Sequence, residues 1–177
     1  GWTEVKDYEL PYYMRLYRAD DLAGAEAYAL VADTNAVFTV TGGGVMQQAT
    51  MPEYYERNSS SVALINGGTG DDLLVVDGML VQGKIDTTYA AAGAAAGDTC
   101  LIGDAEVRDG KAYIGGSEAR YAMAARSVLI RDGVEISVET EEELEARSAM
   151  GVTSRGDIVL MICSASALQG GVGVETV

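Results

Sequence analysis

Residues 73–82 read LLVVDGMLVQ, two apolar runs separated by Asp77-Gly78. Asp-Gly between apolar runs is a strong signal for a two-residue hairpin turn, because both residues accept a positive φ. The same dipeptide recurs at Asp109-Gly110 and Asp132-Gly133, again between apolar runs. The sequence therefore predicts three antiparallel hairpins. Their strands are 73–76 with 79–82, 105–107 with 111–114, and 128–130 with 134–138.

A fourth hairpin is predicted to join 150–153 with 157–162 through Ser154-Arg155-Gly156. Helices are expected to be few and short. Capping boxes, in which a Thr and a Glu three residues later bond each other's backbone N–H groups, occur at 50–53 and 140–143. The Ala/Gly-rich stretch 89–97 is predicted to be a loop or a close-packed short helix. The expected fold class is α+β, predominantly β, with a mainly antiparallel sheet built from hairpins.

The size and charge of the chain limit its partners. With 177 residues, 48% of them hydrophobic, residues 1–177 are expected to form a single domain with its own core. The 12 Lys and Arg against 27 Asp and Glu give a net charge of −15. Such a field repels phosphate backbones, so no nucleic acid partner is expected. No apolar run reaches the ~20 residues that a membrane span needs. The localisation is left open, since a removed signal peptide or anchor is one alternative for a chain that begins at Gly1.

The residue types also limit the chemistry. Histidine is absent, so the usual base of Ser and Cys hydrolases and the commonest transition-metal ligand are both excluded. Carboxylate acid–base chemistry and electrostatic stabilisation by arginine remain. Neither a metal nor a cofactor is predicted, and the glutamates of 139–143 are interpreted as helix electrostatics. Cys100 and Cys163 lie in apolar surroundings and are predicted to be buried, unreactive thiols without a bridge.

Two glycine-rich segments are candidates for binding. Asn66-Gly67-Gly68 directly follows the apolar run 61–65, where a left-handed turn and a substrate-contacting turn explain the pattern equally well. Gln169-Gly170-Gly171 has the composition of an anion cradle but matches no P-loop, so the residues alone favour a turn.

Residues 61–68, SVALINGG, resemble the strand and Asn-Gly-Gly turn of the phosphodiester glycosidase family. Residues 74–78 and 129–133 are similar to two of the family's hairpins, and 13–22 resembles its opening strand. The segment 146–153 followed by 156–160 is similar to the family's Arg-Thr/Ser-Ala-hydrophobic-Gly motif and its next strand. The resemblance implies hydrolysis of a sugar-1-phosphodiester, with a carbohydrate or sugar phosphodiester as partner and a secreted or extracellular location.

The resemblance also implies a site. Its catalytic members are Asn66, Asp77 and Arg147. Arg147 would pair with the phosphate, Asn66 would bond the substrate or position a loop, and Asp77 is the nearest candidate for the acid or base. The substrate-binding members are Gly67, Gly68, Gln169, Gly170 and Gly171. Asn66, Arg147 and 169–173 are predicted to converge at one end of the sheet.

Three departures from the family bear on activity. Thr69-Gly70 stands where the family has aromatic residues, Gln169 stands where it has an acid, and the helix that precedes the last motif is not found. The C-terminal motif is therefore interpreted as degenerate or truncated. The alternative function is a non-catalytic structural or carbohydrate-binding module of an extracellular or viral assembly, with a homo-oligomer left open. The ten tyrosines suit a sugar-binding surface, although half-buried strand positions explain Tyr12, Tyr13 and Tyr17 better.

Overall fold

The computed structural model describes residues 1–22, 25–40, 50–57, 60–65, 74–82, 90–92, 101–103, 105–124, 129–136 and 146–164. These residues form fifteen short strands and one helix, α1 (Met51–Arg57). The strands are β1 (Trp2–Val5), β2 (Met14–Leu22), β3 (Ala25–Ala32), β4 (Leu74–Val76), β5 (Met79–Gln82), β6 (Ala90–Ala92), β7 (Leu101–Gly103), β8 (Ala105–Arg108), β9 (Lys111–Ile114), β10 (Ser117–Glu118), β11 (Ala122–Ala124), β12 (Ile130–Arg131), β13 (Val134–Glu135), β14 (Arg147–Val152) and β15 (Ile158–Cys163).

The strands form four antiparallel sheets. The first sheet has the order β1-β2-β3-β15-β14, so β15 pairs with β3 and joins the last two described strands to the first three. The second sheet has the order β5-β4-β11-β6-β7, the third β10-β9-β8, and β12-β13 is a separate hairpin. The expected fold class, predominantly β with antiparallel hairpins and few helices, is confirmed.

All three Asp-Gly hairpins are present. Both residues of each dipeptide have positive φ, with values of 49° and 79° at Asp77-Gly78 and similar values at the other two turns. Each turn connects two antiparallel strands: β4 with β5, β8 with β9, and β12 with β13. Positive φ at both central residues is the condition for the type I′ turn, whose twist matches that of the flanking strands.

The fourth hairpin is also present and is longer than the sequence predicted. Its turn is closed by hydrogen bonds from the backbone N–H of Thr153 to the carbonyl of Asp157 and from the N–H of Gly156 to the carbonyl of Thr153, both 2.9 Å. Gly156 has φ +88°, which favours glycine there. The strand β14 begins at Arg147 rather than at 150, because the ladder with β15 continues to the pair Arg147 and Cys163.

The helix α1 begins at the first predicted capping box. The backbone N–H and hydroxyl of Thr50 donate to Glu53 Oε2 at 2.8 and 2.9 Å, and the Glu53 N–H donates back to the Thr50 hydroxyl at 3.4 Å. These bonds, the backbone one foremost, lower the pKa of the Glu53 carboxyl. The second capping box, 140–143, lies outside the described residues.

The prediction of a loop or helix at 89–97 is wrong for 90–92. These three alanines form β6, which pairs with β11 on one side and β7 on the other. Alanine has little intrinsic preference for strands, so the backbone ladder formed with both neighbours decides the conformation. The remaining residues of the stretch lie outside the described part of the chain.

The described core joins the second and third sheets. Its buried members are Val75, Ala112, Ile114, Ala119, Ala122 and Ala124, and Leu80, Ala105 and Val107 pack against them. Most of these side chains are alanine, so the sheets approach closely and the largest buried side chains, Ile114 and Val75, fill the space between them. In the described part of the chain, no helix has the length and apolar character of a membrane span.

The turn geometry predicts the effect of adding one methyl group. Gly110 has φ +75° and open space around its Cα, so Gly110→Ala should cost about 1–2 kcal/mol through the left-handed backbone alone. Gly151, in β14, also has open space but no positive φ, and Gly151→Ala should change stability by less than about 0.5 kcal/mol. Urea denaturation of both variants measures the difference. Equal losses would contradict the turn assignment.

Candidate functional site

Arg147 lies at one end of a particular face of the first sheet. Its register partner in β15 is Cys163, which is opposite Ala27 in β3, which in turn is opposite Ala19 in β2. Residues directly opposite each other in an antiparallel ladder project from the same face. We call this side of the sheet the Arg147 face. The face therefore begins with a row of one arginine and three small side chains.

This row is shielded from water. Ala27 is fully buried, Ala19 and Cys163 are 4% and 2% exposed, and Arg147 is half-buried. Burial raises the pKa of the Cys163 thiol above its ordinary value of 9.0. Cys163 is a free thiol, which agrees with the prediction of a small buried hydrophobe. Cys100 lies outside the described residues. Arg147 is thus partly withdrawn from water, and its interaction with an anion would be less screened than that of a fully exposed arginine.

Asp77 is held in a different place. It occupies the exposed β4–β5 turn, where its Oδ1 accepts hydrogen bonds from Arg120 Nε at 2.9 Å and Nη2 at 2.7 Å. The N–H of Gly78 also donates to the carbonyl of Arg120 at 2.8 Å. These contacts join the hairpin tip to the chain entering β11. The partner is 43 residues away in sequence, so no local signal could have identified Arg120.

The described contacts do not bring Asp77 and Arg147 together. The strand β14 of the first sheet contacts β7 of the second sheet. Within the second sheet, β4 is three strands away from β7. At the usual spacing between strands this is about 14 Å. A catalytic role of Asp77 stays a prediction of the resemblance.

The other predicted site residues, Asn66, Gly67, Gly68, Gln169, Gly170 and Gly171, lie outside the described residues. The structure does show where the chain leaves β15. Because Cys163 is opposite Arg147, the strand ends at the same rim as Arg147, and Gln169 follows six residues later in sequence. The convergence of these segments stays a prediction. Among the described residues there is no group of three or more Cys, Asp or Glu that could hold a metal ion.

Comparison with family models finds a match to the phosphodiester glycosidase model over residues 34–176. The match covers most of the chain. The chain belongs to the phosphodiester glycosidase family. No curated protein and no solved structure matches it.

The family match includes the predicted site residues but only part of the first sheet. All the predicted glycosidase site residues, from Asn66 to Gly171, lie inside it, and so do β14 and β15. The strands β1, β2 and β3 precede it, although they form three of the five strands of the first sheet. The strand predicted at 13–22 is present as β2, but it lies outside the matched residues. The Arg147 face is thus built partly by the family segment and partly by the strands before it.

The burial of Cys163 predicts that its thiol reacts slowly with thiol reagents. In a Cys100→Ala background, Ellman's reagent at pH 8 should label Cys163 at least about 10-fold more slowly in the native protein than in the denatured chain. Because the folded-state pKa is raised, the unfolded chain loses its proton first as the pH rises. The thiol's contribution to stability is therefore complete below pH 9 and lost above it, relative to Cys163→Ala. Fast native labelling would contradict the assignment.

Proposed function

We propose that this member of the phosphodiester glycosidase family hydrolyses a sugar-1-phosphodiester, with Arg147 binding the phosphate. The observation that supports this most is the half-buried position of Arg147 on the Arg147 face, within the segment that matches the family. The remaining site residues come from the resemblance.

The electrostatics favour a phosphate ligand at this arginine over one elsewhere on the protein. The whole chain carries a net charge of −15, so an anionic substrate needs a local cation that is weakly screened. A guanidinium presents two parallel N–H donors that match two phosphate oxygens, and partial burial strengthens the contact. The exposed ion pairs of the described residues, such as Arg120 with Asp77, are more strongly screened by water.

The glycine segments would complete the site. In this proposal, Asn66 bonds the substrate or positions its loop, and the N–H groups of Gly67 and Gly68 face developing negative charge. Gln169, Gly170 and Gly171 would approach from the end of β15. Gln169 cannot titrate, so the acid or base must come from a carboxylate elsewhere, and the resemblance offers Asp77.

The activity is measured with two chromogenic substrates of the same sugar, one a sugar-1-phosphodiester and the other the plain glycoside. The proposal expects hydrolysis of the phosphodiester in preference to the glycoside, because only the former carries the anion that Arg147 would bind. Hydrolysis of neither substrate would contradict the proposal and favour the non-catalytic module.

Replacing the arginine should abolish most of this activity. Arg147→Ala is expected to lower kcat/KM for the phosphodiester by at least about 100-fold, the usual loss for one donor to a developing anion. Arg147→Lys keeps the charge but not the paired donors, so its kcat/KM should lie between those of the parent protein and Arg147→Ala. The control is Arg57→Ala, at the exposed end of α1, which should retain activity.

In the same assay, Asp77→Asn keeps a residue that tolerates the turn, so a loss of rate without a loss of stability would place Asp77 in the site.

Restoring an acid provides a gain-of-function test. Gln169→Asp places a carboxyl group where the resemblance locates one, and general acid–base assistance is worth about 100-fold to 10,000-fold. We therefore expect Gln169→Asp to raise kcat for the phosphodiester and to add one ionisation to the pH profile of kcat. Gln169→Asn, which is equally short and cannot titrate, is the matched control. An equal response of both variants would contradict the role of this position.

A further inference from the structure

An open cavity of about 460 Å³ lies on the same face as Arg147, toward the opposite end of the sheet. Its aromatic and apolar lining consists of Tyr13, Tyr17 and Val31, and its charged lining of Arg15, Asp33, Arg155 and Asp157. Arg15 and Tyr17 alternate along β2, so they project from one face, and Tyr13 lies just before this strand, where its carbonyl accepts the backbone N–H of Asp33 at 2.9 Å. Val31 is opposite Arg15 in the ladder, which places it on the floor. We call this cavity the tyrosine groove.

The tyrosine groove and Arg147 are separate places on the face. Val31 is opposite Val159, which is opposite Gly151, four residues along β14 from Arg147. At the rise of a β-strand this is about 13 Å. Most of the groove residues also precede the segment 34–176 that matches the family.

The charged side chains of the groove are fixed by their own contacts. Asp33 Oδ1 accepts hydrogen bonds from the backbone and side-chain N–H of Asn35 at 2.8 and 2.9 Å. Arg155 Nη2 lies 2.9 Å from Asp157 Oδ2, and the Asp157 side chain is only 14% exposed. The Thr153 hydroxyl accepts the backbone N–H groups of both Arg155 and Asp157. A ligand would therefore meet polar groups already in place, which reduces the cost of binding.

The aromatic side chains are also positioned in advance. The ring of Tyr12 packs edge-on against Tyr13, with centroids 5.3 Å apart. Tyr17 is in β2, four residues after Tyr13, which directly precedes this strand. Between them, the side chain of Arg15 is 59% exposed, and its Nε lies 3.9 Å from Glu4 Oε1. An extended ligand running along β2 would contact a ring, a guanidinium and a second ring in succession.

The balance of charges points to a neutral ligand rich in hydroxyl groups. The groove holds two arginines and two aspartates, so an anion would meet Asp33 and Asp157 in a protein of net charge −15, and a cation would meet both arginines. A hydroxyl group can donate to a carboxylate and accept from a guanidinium. Tyrosine offers an apolar ring to the C–H face of a sugar and a polar tip to its edge.

We propose that the tyrosine groove binds a neutral, linear oligosaccharide, independently of hydrolysis at Arg147. The site would hold a carbohydrate chain of several units against β2 and the β14–β15 turn. It would thereby bring a glycan-bearing surface to the protein or extend its contact with a larger substrate.

The test is calorimetric titration of the full chain with four neutral hexasaccharides: cellohexaose, maltohexaose, xylohexaose and the hexamer of N-acetylglucosamine. At least one is expected to bind with a Kd of about 1 mM or tighter. Tyr17→Ala should weaken that binding about 5-fold or more. The matched control is Tyr8→Ala, which removes a tyrosine that is 65% exposed and lies outside the groove, and it should leave the Kd within about 2-fold.

A second pair of variants keeps the test valid if Tyr17→Ala does not fold. Arg155 is 81% exposed, so Arg155→Ala should fold and should weaken binding several-fold, whereas Arg57→Ala should not. Arg147→Ala should bind the oligosaccharide as the parent protein does, which separates this proposal from the hydrolytic one. Binding of none of the four sugars, displacement of the bound sugar by inorganic phosphate, or equal losses in the groove and control variants would overturn the proposal.

Discussion

The pairing of β15 with β3 is the constraint on which the rest of the first sheet depends. Six consecutive register pairs, from Ile158 with Ala32 to Cys163 with Ala27, join the described end of the chain to its beginning. Closing so long a loop costs entropy that local contacts cannot repay, and the full ladder with two buried rows offsets it. The register is fixed by the side chains: a slip of one residue would turn the buried Ile158 and Cys163 to the opposite faces of the sheet.

This pairing decides which side chains project from the same face of the first sheet. Arg147 comes from the family segment and Tyr17 from a strand that precedes it, yet both project from the Arg147 face because β14, β15, β3 and β2 are in continuous register. The row of the ladder that contains Tyr17 continues through Ala29 and Met161 to Ala149. The proposed phosphate contact and the proposed sugar contact therefore lie on one face of the first sheet, separated by buried residues such as Ala27 and Ala29.

The arginines of this acidic chain differ in burial, and their suggested roles differ accordingly. Arg120 and Arg155 are exposed, and each is paired with an aspartate at a turn. Such pairs add little stability in water but hold a turn in one geometry. Arg147 is half-buried and stands opposite the buried Cys163 in the ladder, where an anion is less screened by water than at a fully exposed arginine. In a protein of net charge −15, this difference in burial supports the proposal that Arg147, rather than the exposed arginines, binds the substrate phosphate.

The sequence by itself determined the hairpins, because Asp-Gly sets a local backbone conformation whatever surrounds it: Asp77, Asp109 and Asp132 all have positive φ. It likewise determined the cap of α1 and, through SVALINGG and the Arg147 motif, the family. Only the tertiary structure decided that 90–92 is a strand, that Asp77 pairs with Arg120, and that Tyr17 of β2 shares a face with Arg147. These outcomes arise from contacts between residues far apart in the chain, and the alternation along one strand cannot specify which strand will lie beside it. The positions of Asn66 and Gln169 relative to Arg147 belong to the same class of long-range relations, which local turn chemistry does not fix.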